Sequence, residues 1–319
     1  MVDDDVLSGV LRGIRLSGSL QFCFMPSGDW QTDGKPRMSE HAGRAVMPFH
    51  ILVEGSCWLK MPDRQLELAT GDVVAFPFGT GHQIGHGKGG RVITPVADLP
   101  PRPWRATPIL RYGEGCSRLR LLCGYLQCDA MDFRPLRSAL PQLLHMKTEG
   151  TAEAPWLRAT IAQIVAEVDR PRTGGLSMLE RLTEIIFIEV LRHEILAARA
   201  GATGWLAALA DPALARCLAL IHDGPHRDWS VDAMAGAAGL SRSSLGERFE
   251  AVIGTSPMRY VRDWRLYLAS VALRTTGKAI AEIGYDAGYS TEAAFSRAFA
   301  RANGAPPAAW RQKARNDNQ

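Results

Sequence analysis

The sequence predicts a multidomain β + α protein, in which a β-rich N-terminal domain is followed by helices and an all-α C-terminal domain. Three observations support this fold class. The chain has 319 residues, which suits two or three domains. Short apolar runs separated by turn residues fill the first part, to about residue 128. Beyond about residue 135, apolar residues recur every three or four positions between helix-capping residues.

Composition excludes several protein classes. The chain is 46% hydrophobic and 22% charged, which is typical of a globular protein. No apolar run approaches the ~20 residues that span a bilayer, and the acidic start MVDDD is unlike a secretory signal. We therefore expect no membrane partner, a cytoplasmic protein and reduced cysteines at Cys23, Cys57, Cys116, Cys123, Cys128 and Cys217.

The net charge of +4 is unevenly distributed. Residues 212–319 hold 14 Lys and Arg against 10 Asp and Glu, whereas residues 1–211 hold 23 of each. A basic module beside a neutral one favours a polyanionic partner for the C-terminal third. Four charges over about a hundred residues is a small bias, so this observation does not decide the function alone.

The first domain, residues 1–130, is expected to be an antiparallel β sandwich or barrel. Its runs are rich in Val, Ile, Leu and Phe, lie close together and have no helical spacing between them. The predicted strands are Phe49–Val53, Cys57–Met61, Gln65–Leu68, Val73–Phe76 and Leu119–Tyr125.

Residues 131–210 are expected to form a helical connector. Helices are predicted at Trp156–Val168 and Leu176–Leu196, followed by an Ala/Gly-rich linker in which Trp205 docks. The second helix (176–196) carries an apolar stripe that either packs within its own chain or pairs two subunits; the stripe comprises Leu179, Leu182, Ile186 and Val190.

The third domain, residues 211–319, is predicted to be a series of short helices, because capping residues and Pro recur where helices start. The starts are Asp211-Pro212, Ser230, Ser241, Ser256-Pro257, Ile280, Ser290 and Pro306-Pro307.

These helices repeat with an offset of 50 residues. Matching pairs are Leu245 with Phe295, Phe249 with Phe299, Gly254 with Gly304, and Pro257 with Pro307. Each copy has the spacing of a helix-turn-helix, and two copies in register favour this interpretation over a plain bundle of helical hairpins. The intervening helix of about 18 residues is ~27 Å long, which suits two recognition helices about one DNA turn apart.

Residues 212–313, about a third of the chain, resemble the AraC/XylS-type DNA-binding domain. The resemblance rests on WSVDAMAGAAGLSRSSLGERFEAVIGTSPMRYVRDWRL and on the second copy, whose signature residues are Ile283, Gly284, Tyr285, Gly288, Tyr289, Phe295, Ser296, Arg297, Phe299, Gly304, Pro307 and Arg311. It implies a transcription regulator with two recognition helices in adjacent major grooves of double-stranded DNA.

Carried over by position, the resemblance implies base readers at Ser243, Gly246 and Glu247 in the first copy, and at Glu292, Ala293, Ala294 and Arg297 in the second. Arg297 suits guanine and Glu247 suits cytosine. Candidate phosphate contacts are Arg242, Arg259, Arg262, Arg265 and Arg301.

The N-terminal domain resembles a cupin-type sensor. Gly71, Pro77, Gly79 and His82 follow the spacing Gly-x5-Pro-x-Gly-x2-His of the second cupin motif. The first motif, which should carry His-x-His, retains only His50. The resemblance implies a cupin-like β-barrel, as found in one subgroup of AraC-type regulators.

A metal site is a further hypothesis. His50 and His82 are expected to converge inside the domain, and Cys123 on a late strand completes a His₂Cys set that suits Zn²⁺. The alternative is a buried core cysteine beside hydrogen-bonded structural histidines.

The expected function is a DNA-binding transcription regulator controlled by an unknown small-molecule effector. It is expected to act as a homodimer and, if an activator, to contact RNA polymerase. One alternative is a metal-dependent cupin enzyme, an oxygenase or isomerase, fused to a DNA-binding domain, although the incomplete His-x-His motif disfavours it. Another is a constitutive DNA-binding protein whose barrel only dimerises.

Overall fold

The computed structural model describes residues 7–8, 16–34, 46–114, 119–128, 133–148, 154–197 and 202–316. The chain forms two compact units. The β unit comprises Leu16–Cys128 and Pro141–Glu194, and the helical unit includes Asp129–Leu140 and Ile195–Gln319. Of the predicted connector, residues 131–140 and 195–210 group with the helical unit and residues 141–194 with the β unit.

The β unit contains eleven described strands. They are β1 (Leu16–Pro26), β2 (Trp30–Thr32), β3 (Val46–Glu54), β4 (Ser56–Lys60), β5 (Gln65–Ala69), β6 (Val73–Ala75), β7 (Gln83–His86), β8 (Arg91–Ile93), β9 (Ile109–Tyr112), β10 (Arg120–Cys128) and β11 (Leu144–Met146).

These strands form two sheets. The larger has the order β11-β6-β3-β10-β1-β9, and the smaller β5-β4-β7-β2-β8. The described strands do not close into the barrel expected from the cupin resemblance, because no hydrogen-bonded ladder joins the two sheets. Most pairs are antiparallel as predicted, but β1 with β9 and β2 with β8 are parallel. Alternation along one strand does not encode its neighbour, so sequence patterns missed these pairings.

The core of the β unit is made of side chains from both sheets. Trp30 and Phe24 are buried and meet edge to face, with ring centroids 5.1 Å apart. Strand β10 is tied to a helix by Arg120, which donates two hydrogen bonds to Asp169 at 2.7 and 3.0 Å. A Cβ on Gly18 of β1 would lie 2.8 Å from the Thr183 side chain, so only glycine permits this close approach of a helix to the strand.

The helices occupy most of the positions predicted. They are α1 (Arg134–Ala139), α2 (Ala154–Asp169), α3 (Gly175–Ala197), α4 (Trp205–Ala210), α5 (Pro212–Asp223), α6 (Val231–Ala238), α7 (Arg242–Ile253), α8 (Pro257–Thr275), α9 (Ile280–Asp286), α10 (Glu292–Asn303) and α11 (Pro307–Asn316). Within the described part of the chain, none of the helices has the length and apolar character needed to cross a bilayer.

Two local expectations need correction. Residues Trp205–Ala210 form the short helix α4 instead of a linker, although Trp205 is buried as expected. Helix α10 is capped by Thr291, whose hydroxyl accepts from the amide of Ala294, and not by Ser290. Asp211 caps α5 as predicted, because its carboxylate accepts from the amides of Ala213 and Leu214.

An aromatic cluster forms the core of the helical unit beside α8. Trp205 Nε1 donates to the Tyr260 hydroxyl at 2.7 Å, and His222 Nε2 lies 2.7 Å from the same oxygen. The His222 ring stacks on Trp264 with centroids 4.0 Å apart. Burial lowers the pKa of His222 from 6.5 to about 3, so the imidazole is neutral in the folded protein at pH 7.

We expect the helical unit to lose stability in mild acid because of His222. Below pH 6.5 the unfolded chain binds a proton at His222 that the folded protein takes up only near pH 3. The free energy of unfolding therefore falls by about 1.4 kcal/mol per pH unit from this group alone. His222→Gln should make the decline shallower between pH 6 and 4, as measured by urea unfolding followed through tryptophan fluorescence. His226→Gln, at an exposed histidine of the same unit, is the matched control, and equal slopes in both variants would contradict the assignment.

Candidate functional site

The helical unit contains two helix-turn-helix pairs. In the first, α6 is followed by Gly239 with φ of 67° and then by α7, capped by Ser241. In the second, α9 is followed by Gly288 with φ of 84°, and Thr291 caps α10. The left-handed backbone of each turn favours glycine, which explains why both copies carry one there.

The second helix of each pair is anchored by one face. Leu245 and Phe249 of α7 are fully buried, as are Phe295 and Phe299 of α10. The opposite faces expose the predicted base readers that carry hydrogen-bonding side chains, namely Ser243, Glu247, Glu292 and Arg297. Among the described residues, Glu247, Glu292 and Arg297 have no hydrogen-bonding or ion-pair partner, so these side chains are available to a ligand.

The remaining predicted readers have no hydrogen-bonding side chain. Ala293 is exposed, whereas Gly246 and Ala294 are half-buried. On α7, the neighbouring Arg248 is held by the carboxylate of Asp211 at 2.6 Å. That contact joins the first recognition helix to the start of α5. It also means that the Arg248 guanidinium is already paired and less available to a phosphate.

Four of the five predicted phosphate contacts are exposed arginines. Arg242 lies 3.6 Å from Asp232, and Arg262 lies 3.1 Å from Asp263. Both are ion pairs at the protein surface, where solvent weakens the attraction. Arg259 is 3.9 Å from the second oxygen of the Asp263 carboxylate. Arg301 has no ion-pair partner among the described residues, which leaves its guanidinium free to bind an anion.

Arg265 has a different environment from the other four. Its guanidinium donates to the backbone carbonyls of Pro225 at 2.7 Å and Arg227 at 2.6 Å. It also lies against Gly288, where a Cβ would be 2.7 Å from Nη1. Arg265 therefore has a structural role on α8, holding the loop between α5 and α6 beside the turn of the second pair, which counts against its predicted role as a phosphate contact.

The β unit contains a cavity of about 130 Å³. Its walls are largely apolar, with Phe22, Phe24, Val46, Ile84 and Leu121 among the lining residues. His50, His82 and Cys123 also line it, so the structure brings together the three side chains predicted as metal ligands.

The three side chains form a linear hydrogen-bonded chain. Cys123 Sγ lies 3.1 Å from His50 Nδ1, and His50 Nε2 lies 2.8 Å from His82 Nε2. His82 Nδ1 is 2.8 Å from the carbonyl oxygen of Thr80. The His82 ring is stacked on Phe76 at 3.6 Å, which fixes its orientation.

The hydrogen-bonding partners determine where the protons are. A carbonyl only accepts, so His82 Nδ1 carries the proton and donates to Thr80. In neutral His82 the Nε2 lone pair then accepts from His50 Nε2–H, and His50 Nδ1 accepts from the Cys123 thiol. Burial lowers the pKa of His50 and takes that of His82 down to about 4, and it raises the pKa of Cys123. Each group is therefore neutral at pH 7.

This arrangement does not fit the zinc ion predicted from the sequence. The two nitrogens of His50 point to opposite neighbours, and both bare imidazole lone pairs already accept hydrogen bonds. Within the described ranges, no three His, Cys, Asp or Glu side chains are grouped so as to hold a metal. The zinc site stays a prediction, and we assign no step to a metal.

Two polar groups at the cavity were not predicted from the sequence. The Thr80 carbonyl orients His82, and Asp33, which accepts from Thr94 at 3.2 Å, adds a carboxylate to the cavity wall. A backbone oxygen carries no sequence signature. Asp33 and Thr94 are 61 residues apart in the chain and meet only in the folded structure, just beyond the ends of the paired strands β2 and β8.

Comparison with known families supports both units. A family model described as Cupin matches residues 5–196, and one described as Helix-turn-helix domain matches residues 234–313.

The relatives are similar over most of their length. A putative AraC-like transcription regulator from Streptomyces lividans is 29% identical over 317 residues, covering 97% of this chain and 98% of that protein. Another, from Streptomyces antibioticus, is 30% identical over 275 residues, covering 84% and 87%. A crystal structure of an AraC-type transcriptional regulator from Chromobacterium violaceum is 29% identical, with a TM-score of 0.33, and covers 34% of this chain and 96% of that one.

Both relatives, matched over most of their length, are named as AraC-like transcription regulators, which disfavours the alternative of a metal-dependent enzyme. The two recognition helices, the cupin match and the near-complete overlap agree with one another. The chain belongs to the AraC-like family of transcription regulators, with a cupin domain preceding a double helix-turn-helix domain.

Proposed function

We propose that this regulator reads two successive major-groove segments with α7 and α10 and responds to a small molecule held in the cavity of the β unit. The observation that carries the DNA-reading proposal is the exposure of equivalent polar faces on two helices whose opposite faces are fully buried. The 19 residues of α8 make it about 28 Å long, a rod of suitable size between two such helices. Action on chromosomal DNA would place the protein in the cytoplasm.

The cavity favours an uncharged effector with an apolar body. Its volume of about 130 Å³ suits a single-ring compound, since an engineered cavity of ~150 Å³ holds benzene. The polar groups on its walls include the neutral Cys123–His50–His82 chain and the carboxylate of Asp33. The described lining residues include no Lys or Arg to pair with an anionic group.

Pairing of two copies through α3 is part of the proposal. Leu179, Ile186 and Val190 of the predicted stripe are buried in the chain's own structure. A neighbouring stripe on the same helix includes Met178 and Ile185, which are 47% and 39% exposed. Burial of these side chains against a second copy would remove apolar surface from water. If the homodimer is an activator, RNA polymerase would be its further partner.

Arg297→Ala tests base reading by α10. The operator is first selected from random duplex DNA with the purified wild-type chain. Loss of a bidentate contact should cost ~1–3 kcal/mol at one base position and relax specificity there. Arg64→Ala, which removes an exposed arginine of the β unit, is the control for charge. Unchanged affinity and unchanged base preference in Arg297→Ala would contradict the proposed contact.

The salt dependence of DNA binding separates phosphate contacts from structural arginines. Arg301→Ala should lower the slope of log affinity against log salt by about 1, because one phosphate contact is lost. Arg265→Ala should leave that slope unchanged and instead destabilise the helical unit by about 2 kcal/mol, since two charge-assisted hydrogen bonds disappear. A lower slope in Arg265→Ala at unchanged stability would show that its role is the reverse of this assignment.

Thermal unfolding of the full chain tests the cavity. Benzyl alcohol should raise the midpoint of the β unit, whereas benzoate should raise it less, because its carboxylate loses hydration beside Asp33. Ile84→Phe, which fills part of the cavity, should reduce the effect of benzyl alcohol. Equal stabilisation by the two compounds, or none by benzyl alcohol, would refute this ligand class.

A further inference from the structure

One segment of the chain leaves the β unit and returns to it. Strand β10 ends at Cys128, Asp129–Leu140 groups with the helical unit, and the chain re-enters the β unit at Pro141. Strand β11 follows at Leu144–Met146 and belongs to the same sheet as β10. We call Asp129–Leu140 the strap, because both of its ends continue into one sheet.

The strap contributes Phe133 to the core of the helical unit. Phe133 is 1% exposed, and its ring centroid lies 5.0 Å from Trp264, 5.6 Å from Tyr267 and 5.7 Å from Tyr260. These three residues lie on α8, which connects the two helix-turn-helix pairs. The ring also lies 6.4 Å from His222 of α5. One side chain of the strap thus contacts both the connecting helix α8 and helix α5.

Phe133 also lies near the second recognition helix. It lines a cleft together with Leu266 of α8 and with Ala298, Arg301 and Ala302 of α10. Leu136 and Leu140 of the strap are buried as well, so the described part of the strap, residues 133–140, is packed. A displacement of Phe133 would therefore disturb the packing of α8 at the place where α10 meets it.

The other end of this connection lies at the cavity. Strand β10 carries Cys123 and Tyr125, which both line the cavity, and it runs on to Cys128 and the strap. Cys123 also donates to His50 of the adjacent strand β3. Four residues of the sequence separate Cys128, at the end of β10, from Phe133, and the described residues 133–144 continue from Phe133 to the start of β11.

We propose that Phe133 is a positioning residue for DNA binding, and that the strap transmits the state of the cavity to the relative placement of the two recognition helices. The proposal rests on the proposed function, because it needs a cavity that can bind an effector and a helical unit that binds DNA. Coupling between two binding sites is reciprocal, so DNA binding must also alter the β unit through the strap. This reciprocity allows a test that requires no effector.

The test measures amide hydrogen exchange in the full chain with and without the selected operator duplex. In the wild type, the operator should change exchange in β10 and β11 by at least about fivefold. In Phe133→Ala this change should disappear, whereas Phe133→Leu, which keeps an apolar contact, should retain part of it. Selection from random DNA with Phe133→Ala should also return operators with more than one half-site spacing, a result that a purely stabilising residue would not produce.

Two further variants separate positioning from stability. Leu273→Ala truncates a buried residue of α8 whose packing cluster contains no described residue of the strap, and it should destabilise the helical unit but preserve the response of β10. Three glycines inserted between Leu140 and Pro141 should leave Phe133 docked and remove the response of β11. If Phe133→Ala itself does not fold, this insertion decides the question.

The outcomes are distinct. An operator-induced change that persists in Phe133→Ala, or a β11 response that persists in the insertion variant, would overturn the proposal, as would the lack of any change in the wild type. If the wild-type chain enriches no duplex from random DNA, the proposed function itself fails, and the role of Phe133 fails with it.

Discussion

The arrangement of the helical unit depends on the burial of α8. Near its start, Tyr260 and Trp264 pack into the aromatic cluster with His222 and Trp205. Further along, Leu266, Ala269 and Leu273 pack against Phe295 and Phe299 of the second pair. Because one rigid helix supplies a wall to both bundles, neither recognition helix can move without disturbing its contacts to α8. The separation of the two reading surfaces is thus set by core packing and not by a flexible linker.

In the β unit, the same dependence on burial controls charge. Burial beside apolar walls makes an ion costly, so Cys123, His50 and His82 are held in neutral forms. The chain from Cys123 through His50 and His82 to the Thr80 carbonyl satisfies each of these groups without any net charge. The same hydrogen bonds explain why Cys123, His50 and His82 are not arranged as ligands of a metal ion. Their donor atoms face one another, and a metal would require them to face a common centre.

Local signals in the sequence predicted much of the helical unit and less of the β unit. Caps and helix stops such as Asp211, Ser241 and Gly254 act within a few residues, so α5 to α9 begin and end close to the predicted positions. The convergence of His50 with His82 was also accessible, because both lie on or beside strands. No local pattern encodes contacts between distant segments. The two-sheet topology, the parallel strand pairs and the packing of Phe133 in the helical unit all depend on such contacts. The structural role of Arg265 was not predicted either, because the sequence does not show that its guanidinium donates to backbone carbonyls such as that of Pro225.

The small positive charge of the helical unit makes DNA binding sensitive to the relative position of the two recognition helices. Residues 212–319 have an excess of only four positive charges, and Glu247 and Glu292 lie on the exposed faces proposed to read DNA. Arg248 and Arg265 are committed to contacts within the protein, which reduces the cations available to phosphates further. Non-specific attraction to DNA is therefore weak, and useful affinity requires both recognition helices to engage together. Under that condition, the proposed coupling, at a typical ~1–3 kcal/mol, would change occupancy some 5- to 150-fold, so a small displacement of α8 would be enough to switch binding.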